Sequence, residues 1–469
     1  MKVKLNTTNL ANGMNKTLLL LIVSGLCLCG CQESPEQQGK EEVLIMGGGL
    51  MGSSTAWQLS KQGFLVRLIE KQDSIYTEGS SYGEARIARS NNRGNDIWSY
   101  LHNRSVKEVQ ELIDFLNKGE VEPSHAMEDI YTTSPVTYVG RIGIYDRLMA
   151  SLQRQEVKYD IAATPKEGQE LYDVILPDSV LMQREYNLHS GTINPRALIE
   201  KLHKAIRKNG GQVDYGTKIQ NLKYDTASQV YQLSVVKNGK TQSIIAQKVV
   251  SALGPYTSTL LRDVAPYFDT LISPQRVFLA FFRVDPKVYQ SLSEEQQQKL
   301  RQFYPVINSS KGTRAGSFFS MIEYDDSAGN PIIKIGGHFQ RSDIENLDQV
   351  WQKELDQTEI DWSLSSTARY FQMLDLPIKE EDIQWVKGYS CVYSLTATEV
   401  PIVSPIIGPD RTPKTDFVVL GGMSGVGAKG AMSYGLIAAD LLTNREEQDS
   451  MYTVVKKALG FERLLQDVY

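Results

Sequence analysis

The sequence predicts an α/β protein in two parts. One is a parallel-sheet unit that opens the folded region and returns near the C terminus. The other is an α+β unit on a mixed, largely antiparallel sheet. Three observations carry this. An apolar run, Val43–Met46, enters the glycine cluster Gly47-Gly48-Gly49-Leu50-Met51-Gly52 and then a helical stretch. A second apolar run, Phe417–Leu420, enters another glycine cluster ahead of another helix. Residues 266–384 hold alternating stretches such as Arg276–Val284, the period of strands with one covered face.

Length and composition fit this picture. The chain has 469 residues, 41% hydrophobic and 22% charged, enough for a real core and two or three domains. With 50 Lys+Arg against 55 Asp+Glu the net charge is −5, which gives no electrostatic reason to bind nucleic acid. No apolar run approaches the roughly 18–20 residues of a membrane-spanning helix.

The first segment reads as an address. Lys2, Lys4 and Lys16 precede the apolar run Leu18–Cys29, a signal-peptide core in length, with Met14 as an alternative start. The sequence Leu28-Cys29-Gly30-Cys31 resembles a bacterial lipobox, so residues 1–30 are expected to be removed and Cys31 to carry lipid. Residues 31–41 would be a polar tether. An exported lipoprotein facing the periplasm or exterior follows, a plain cleaved secretion signal being the alternative. Only Cys31 and Cys391 would then remain, leaving no internal disulfide despite an oxidising compartment.

The Gly47–Gly52 turn satisfies G-x-G-x-x-G in full context. A strand precedes it, a helix over Ser53–Gln62 follows, and the strand Phe64–Ile69 ends at Glu70. Gly47 and Gly49 let backbone N–H groups approach a pyrophosphate, and Gly52 lets helix pack on strand. Glu70 stands where a carboxylate accepts hydrogen bonds from ribose hydroxyls. This is a Rossmann-like dinucleotide site. The acid argues against a 2′-phosphate and leaves FAD and NAD.

The continuation separates those two. The run Gly79-Ser80-Ser81-Tyr82-Gly83-Glu84-Ala85-Arg86-Ile87-Ala88-Arg89 is a poor core element and suits a loop laid against an anionic or electron-rich group. Here the chain resembles the D-amino-acid-oxidase superfamily, and within it the monomeric sarcosine oxidase and N-methyltryptophan oxidase family. Glu84 stands where that family has aspartate. The resemblance implies FAD, Arg86 near its ring, and Arg89 as an anchor for a substrate carboxylate. It also places Ile219 against the adenine.

A long amphipathic helix is expected over Asp96–Lys118, with Asp96 as N-cap and Ile97, Leu101, Val109, Leu112, Ile113 and Leu116 as its stripe. His102 on it reads as a surface histidine. His125, His189 and His203 are scattered singly, so no metal site is expected. Ser190–Pro195 should cap a helix over Arg196–Lys208, followed by one strand over Gln212–Ile219 and another over Val249–Gly254.

Ile332–His338 is an apolar strand interrupted by Lys334, which read alone would snorkel from a strand face. The resemblance instead puts Lys334 over the flavin and His338 beside the amine, where a fixed positive charge suits oxygen chemistry. Cys391 read alone is a small buried hydrophobe. The resemblance makes it the covalent flavin attachment and Tyr393 a pocket wall. Gly422-Met423-Ser424-Gly425-Val426-Gly427-Ala428-Lys429 puts Gly425 and Gly427 against the flavin pyrimidine and makes Lys429 a second carboxylate anchor. Phe318 and Phe319 stand where the family's pocket tyrosine is expected.

The domain assignment is residues 42–133, 190–265 and 385–469 for the FAD-binding part, and 134–189 with 266–384 for the substrate part. The expected activity is oxidation of N-methyl or cyclic amino acids to imine products with release of H2O2, by a monomer whose partners are a small amino acid, oxygen and the membrane. The alternatives are a membrane-anchored dehydrogenase with a non-oxygen acceptor and a non-catalytic binding lipoprotein.

Overall fold

The Glu42–Met46 strand lies inside a six-stranded sheet because every residue after Glu42 is buried on both sides. The computed structural model describes residues 42–74, 79–90, 96–344, 346–351 and 353–469; the leader, Cys31 and the tether lie outside these. The described residues belong to one compact unit.

The sheet runs Ile402–Ile407, Pro413–Gly421, Lys248–Ser251, Glu42–Met46, Leu65–Ile69, Gln212–Asp214. It is parallel except at its Ile402–Ile407 edge. One face is covered by the helices Leu50–Lys61, Asp96–Asn117, Pro195–Lys208 and Ala431–Thr443. The first and last of these approach so closely that a Cβ on Gly435 would stand 2.6 Å from Ser54. The other face packs on the antiparallel strands Thr217–Asp225, Val230–Lys237 and Lys240–Ala246.

A nine-stranded sheet forms the second layer. Its central pairings, Ser273–Val284 with Pro331–Gly337 and Pro331–Gly337 with Phe318–Asp325, are antiparallel. The contact of Val306–Ser309 with Val136–Arg141 is parallel. The helix Gln357–Met373 packs against it. The expected mixed sheet is therefore present.

Three readings change. Gln212–Ile219 is not one strand: Gln212–Asp214 ends the parallel sheet, the chain turns at Gly216 with φ +60°, and Thr217–Asp225 starts the neighbouring sheet. The strand Ile383–Leu395 pairs along its length with Ser273–Val284, so residues 385–395 sit in the large sheet rather than with the FAD-binding strands. His102 is fully buried, because Asp96–Asn117 is packed by the helices Pro195–Lys208, Ala431–Thr443 and Ser450–Leu459 and by the turn Ala428–Gly430. An amphipathic stripe presumes one covered face, and this helix has several. Asp96 stands in the first helical turn, its carboxylate taken by Ser151 and Arg154. Among the described residues no helix is long and apolar enough to cross a membrane.

Candidate active site

One elongated cavity of about 1190 Å³ runs from the first glycine turn to the large sheet. Its volume lies above the roughly 300–1,000 Å³ typical of drug-sized ligand sites. One end is lined by Gly47, Gly49, Glu70 and Ile219, the other by Arg89, Lys334, His338, Tyr393 and Lys429. Arg86, Cys391, Gly425 and Gly427 line it as well. Of the residues assigned to cofactor, substrate or catalysis in the sequence, only Gly52 is absent from the wall.

Gly52 acts from beneath. A Cβ there would stand 1.9 Å from the Gly47 carbonyl oxygen, so only glycine lets the helix start directly over the strand. Gly47 has φ +100°, and its Cβ would meet the Ala252 carbonyl oxygen at 2.5 Å. The helix Leu50–Lys61 begins with no side-chain cap and no acid in its first turn. Gly49, Leu50 and Met51 line the cavity there, so the positive end of the helix faces an open cradle suited to phosphate. Glu70, at the end of the second strand, accepts from the N–H groups of Gly48 at 2.8 Å and Gln72 at 2.9 Å. It is tied to the turn while lining the cavity.

The second glycine run mirrors this. Gly425 has φ +76°, and a Cβ on it would press the Tyr393 ring at 3.1 Å. Lys429 follows on the short turn Ala428–Gly430, which packs against the strand Arg86–Ala88. Arg89 comes straight after that strand. The two expected carboxylate anchors, distant in sequence, thus line one cavity from adjoining elements. Arg89 stands over the Tyr138 ring, 5.5 Å to the centroid. Beneath it Glu185 is buried and accepts from Tyr138 Oη at 2.9 Å, Ser90 N at 3.1 Å and Ser190 Oγ at 3.3 Å. Burial pushes the Glu185 carboxyl up, while Tyr138, Ser90 and the Arg89 charge pull it back.

Lys334 does not snorkel. It is 0% exposed, and its ammonium donates to the Ala85 carbonyl and to Glu323. Burial pushes it down to about 8, against the pull of Glu323. Arg86 donates to the carbonyls of Ala85, Ser80 and Tyr82, so it holds the loop that carries it while its charge stays at the wall. Cys391 is buried, and burial pushes its thiol up, with Arg86, Lys334 and Arg276 opposing. His338 accepts at Nδ1 from Arg341 at 3.1 Å, since a guanidinium only donates; its proton therefore sits on Nε2. Phe318, Phe319 and Met321 form an apolar wall. No cluster of metal ligands occurs among the described residues.

Sequence reasoning missed Glu185, Tyr138, Glu323 and Arg341. The signal for Glu323 was an acid directly after the apolar pair Met321-Ile322, which implies a buried partner, whereas Glu185 follows Gln183 and Arg184 and gave no such signal. Glu185 takes Tyr138 and Ser90 from distant segments, while Glu323 takes Lys334 from the adjoining antiparallel strand.

Glycine cradle, uncapped helix, acid and cation-lined far end define a flavin-dependent redox enzyme. The chain belongs to the DAO family of FAD-dependent oxidoreductases, whose model matches residues 42–441. It is 23% identical over 431 residues to the monomeric sarcosine oxidase of Bacillus sp. (strain B-0618), covering 89% of this chain and 96% of that one. Among solved structures it is similar to NikD, an unusual amino acid oxidase essential for nikkomycin biosynthesis, with a TM-score of 0.66 at 17% identity over 88% of this chain and 97% of that one. It is also similar to the L-proline dehydrogenase of P. horikoshii, with a TM-score of 0.62 at 16% identity, covering 89% and 98%.

Proposed function

We propose that the protein oxidises secondary amino acids, N-methylated or cyclic, with oxygen as electron acceptor. The observation that carries this is the pairing of Arg89 and Lys429 on one cavity with Lys334, His338 and Tyr393. Sarcosine and L-proline, the substrates in the relatives' names, are both secondary amino acids with a carboxylate beside the amine.

The glycine turns, Glu70 and Ile219 would hold FAD, and Cys391 would bond it covalently. When bound, FAD supplies the two-electron oxidant for the C–H bond next to an amine nitrogen, with oxygen taking the electrons as H2O2. Arg89 and Lys429 grip the substrate carboxylate, a charge-assisted contact that fixes the amine end. Glu185 and Tyr138 keep Arg89 in place. His338, protonated at Nε2, orients the substrate by donating; with Nδ1 occupied by Arg341 it is not the base that takes a proton from the ammonium. The apolar wall excludes water from the reacting end.

Anaerobic titration with sarcosine, other N-methyl amino acids, proline and pipecolate tests the reading. Bleaching of the flavin absorbance by at least one supports it, and no bleaching by any rejects it. Acid precipitation tests the Cys391 bond: the yellow colour should stay with the protein, and should leave it in Cys391→Ser.

The N-terminal pattern supports export and lipid attachment at Cys31, and the folded part is proposed to work as a monomer at the membrane surface. Incorporation of labelled fatty acid that Cys31→Ser abolishes is the expected outcome.

A further inference from the structure

We propose that Glu323 is a positioning residue that sets the charge of Lys334 at the reacting end of the cavity. The geometry divides the two cleanly. Lys334 lines the cavity, whereas Glu323 does not and lies behind it. An ammonium has three donors. Two of them go to Glu323 and the Ala85 carbonyl, so its charge is held at the cavity wall. Glu323 has its own second anchor, accepting from the Glu84 N–H at 2.7 Å. It sits where the pairing of Phe318–Asp325 with Pro331–Gly337 shifts register between Ile322 and Tyr324. Such a bulge is a common device for re-aiming a side chain beside a functional site.

A buried lysine without a counter-charge gives up its proton. The groups facing Lys334 are Glu323 from its neighbouring strand, Arg86 from the Gly79–Ser90 loop and Cys391 from Ile383–Leu395, with Tyr389 beside Arg86 and Glu323. Glu323 is the carboxylate among them, and Arg86 works against the ammonium. Glu323 thus keeps Lys334 cationic where oxygen is to be reduced. This rests on the proposed oxidase reading for its consequence, but the ion pair itself does not.

The test uses the holoenzyme, reduced by dithionite so that no amino-acid substrate is required, and mixed with oxygen across pH 6–9. In Glu323→Gln the lysine should titrate at lower pH, making reoxidation at pH 7.5 about threefold slower for the first unit of displacement and close to tenfold for each further one; Glu323→Asp should keep the wild-type profile. A readout independent of turnover is the thermal midpoint. The unfolded lysine keeps its proton to about pH 10.4. A folded lysine neutral below pH 8 therefore makes Glu323→Gln lose stability relative to wild type as pH falls from 8 to 6. Parallel midpoint curves with unchanged reoxidation would overturn the proposal. If Glu323→Gln does not fold, the paired change Glu323→Leu with Lys334→Met should restore folding, because removing both charges removes the uncompensated one. Failure of that rescue also overturns it. If no secondary amino acid bleaches the wild-type flavin, the proposed substrate class falls while the midpoint curves still decide the role of Glu323.

Discussion

Lys429 is buried beside the neutral ring of His102, which burial and the Lys429 charge push down to about 3. It stands just ahead of the helix Ala431–Thr443, near the positive end of its dipole, a place that favours an anion. Lys429 lines the cavity, where the proposed substrate carboxylate would meet its charge. Lys429→Ala should raise KM for the amino acid by roughly ten- to hundredfold, since a hydrogen bond to a charged group contributes about 1.5–3 kcal/mol. Flavin content should not change. Loss of flavin from purified Lys429→Ala would mean that the residue serves the cofactor rather than the substrate. Arg89 is backed by Tyr138 and Glu185, so its orientation is set before substrate arrives.

At the scale of elements, two strand–glycine–helix units from opposite ends of the chain line one cavity. Their glycines are not equivalent in tolerance. Gly63, with φ +94° and nothing within 4 Å of its Cβ, faces only backbone strain. Gly63→Ala should cost about 1–2 kcal/mol and keep FAD. Gly52→Ala must push the helix Leu50–Lys61 off the Gly47 carbonyl, and because that helix is clamped by Ala431–Thr443 it has nowhere to go. It should yield protein without flavin or no soluble protein, read by absorbance and thermal melts. The unequal legibility of elements has the same origin. Glu42–Met46 and Phe417–Leu420 are apolar on both faces and announce themselves. The break at Gly216 was hidden because both halves of Gln212–Ile219 keep strand character and differ only in the sheet they join.

At the scale of the whole molecule, His102 and His203 report how deeply the helical layer is buried. His203 is also pushed down to about 3 by burial, with Arg207 adding to it, and is held between Ser53 and Tyr215. Both rings stay neutral in the folded chain down to that range but bind a proton near pH 6.5 when unfolded. Lowered folded values mean that stability is intact above about pH 6.5 and is lost as pH falls toward 3. The two together give a slope of roughly 2.7 kcal/mol per pH unit within that window. Urea unfolding at pH 4.5 and 6.5 measures it, and His203→Gln should reduce the slope by about half.

The roles of the cations came from the family resemblance, whereas from the residues alone came the first glycine turn, the buried strands and the acid after the second strand. These are legible because each obeys a local rule: a turn that only glycine can make, a continuous apolar strand, an acid after the second strand. The burial of His102, the carboxylates behind Arg89 and Lys334, and the tautomer of His338 were decided by the tertiary structure. Each depends on which distant segment covers a side chain, and burial, not spacing, determines whether a charge must be matched.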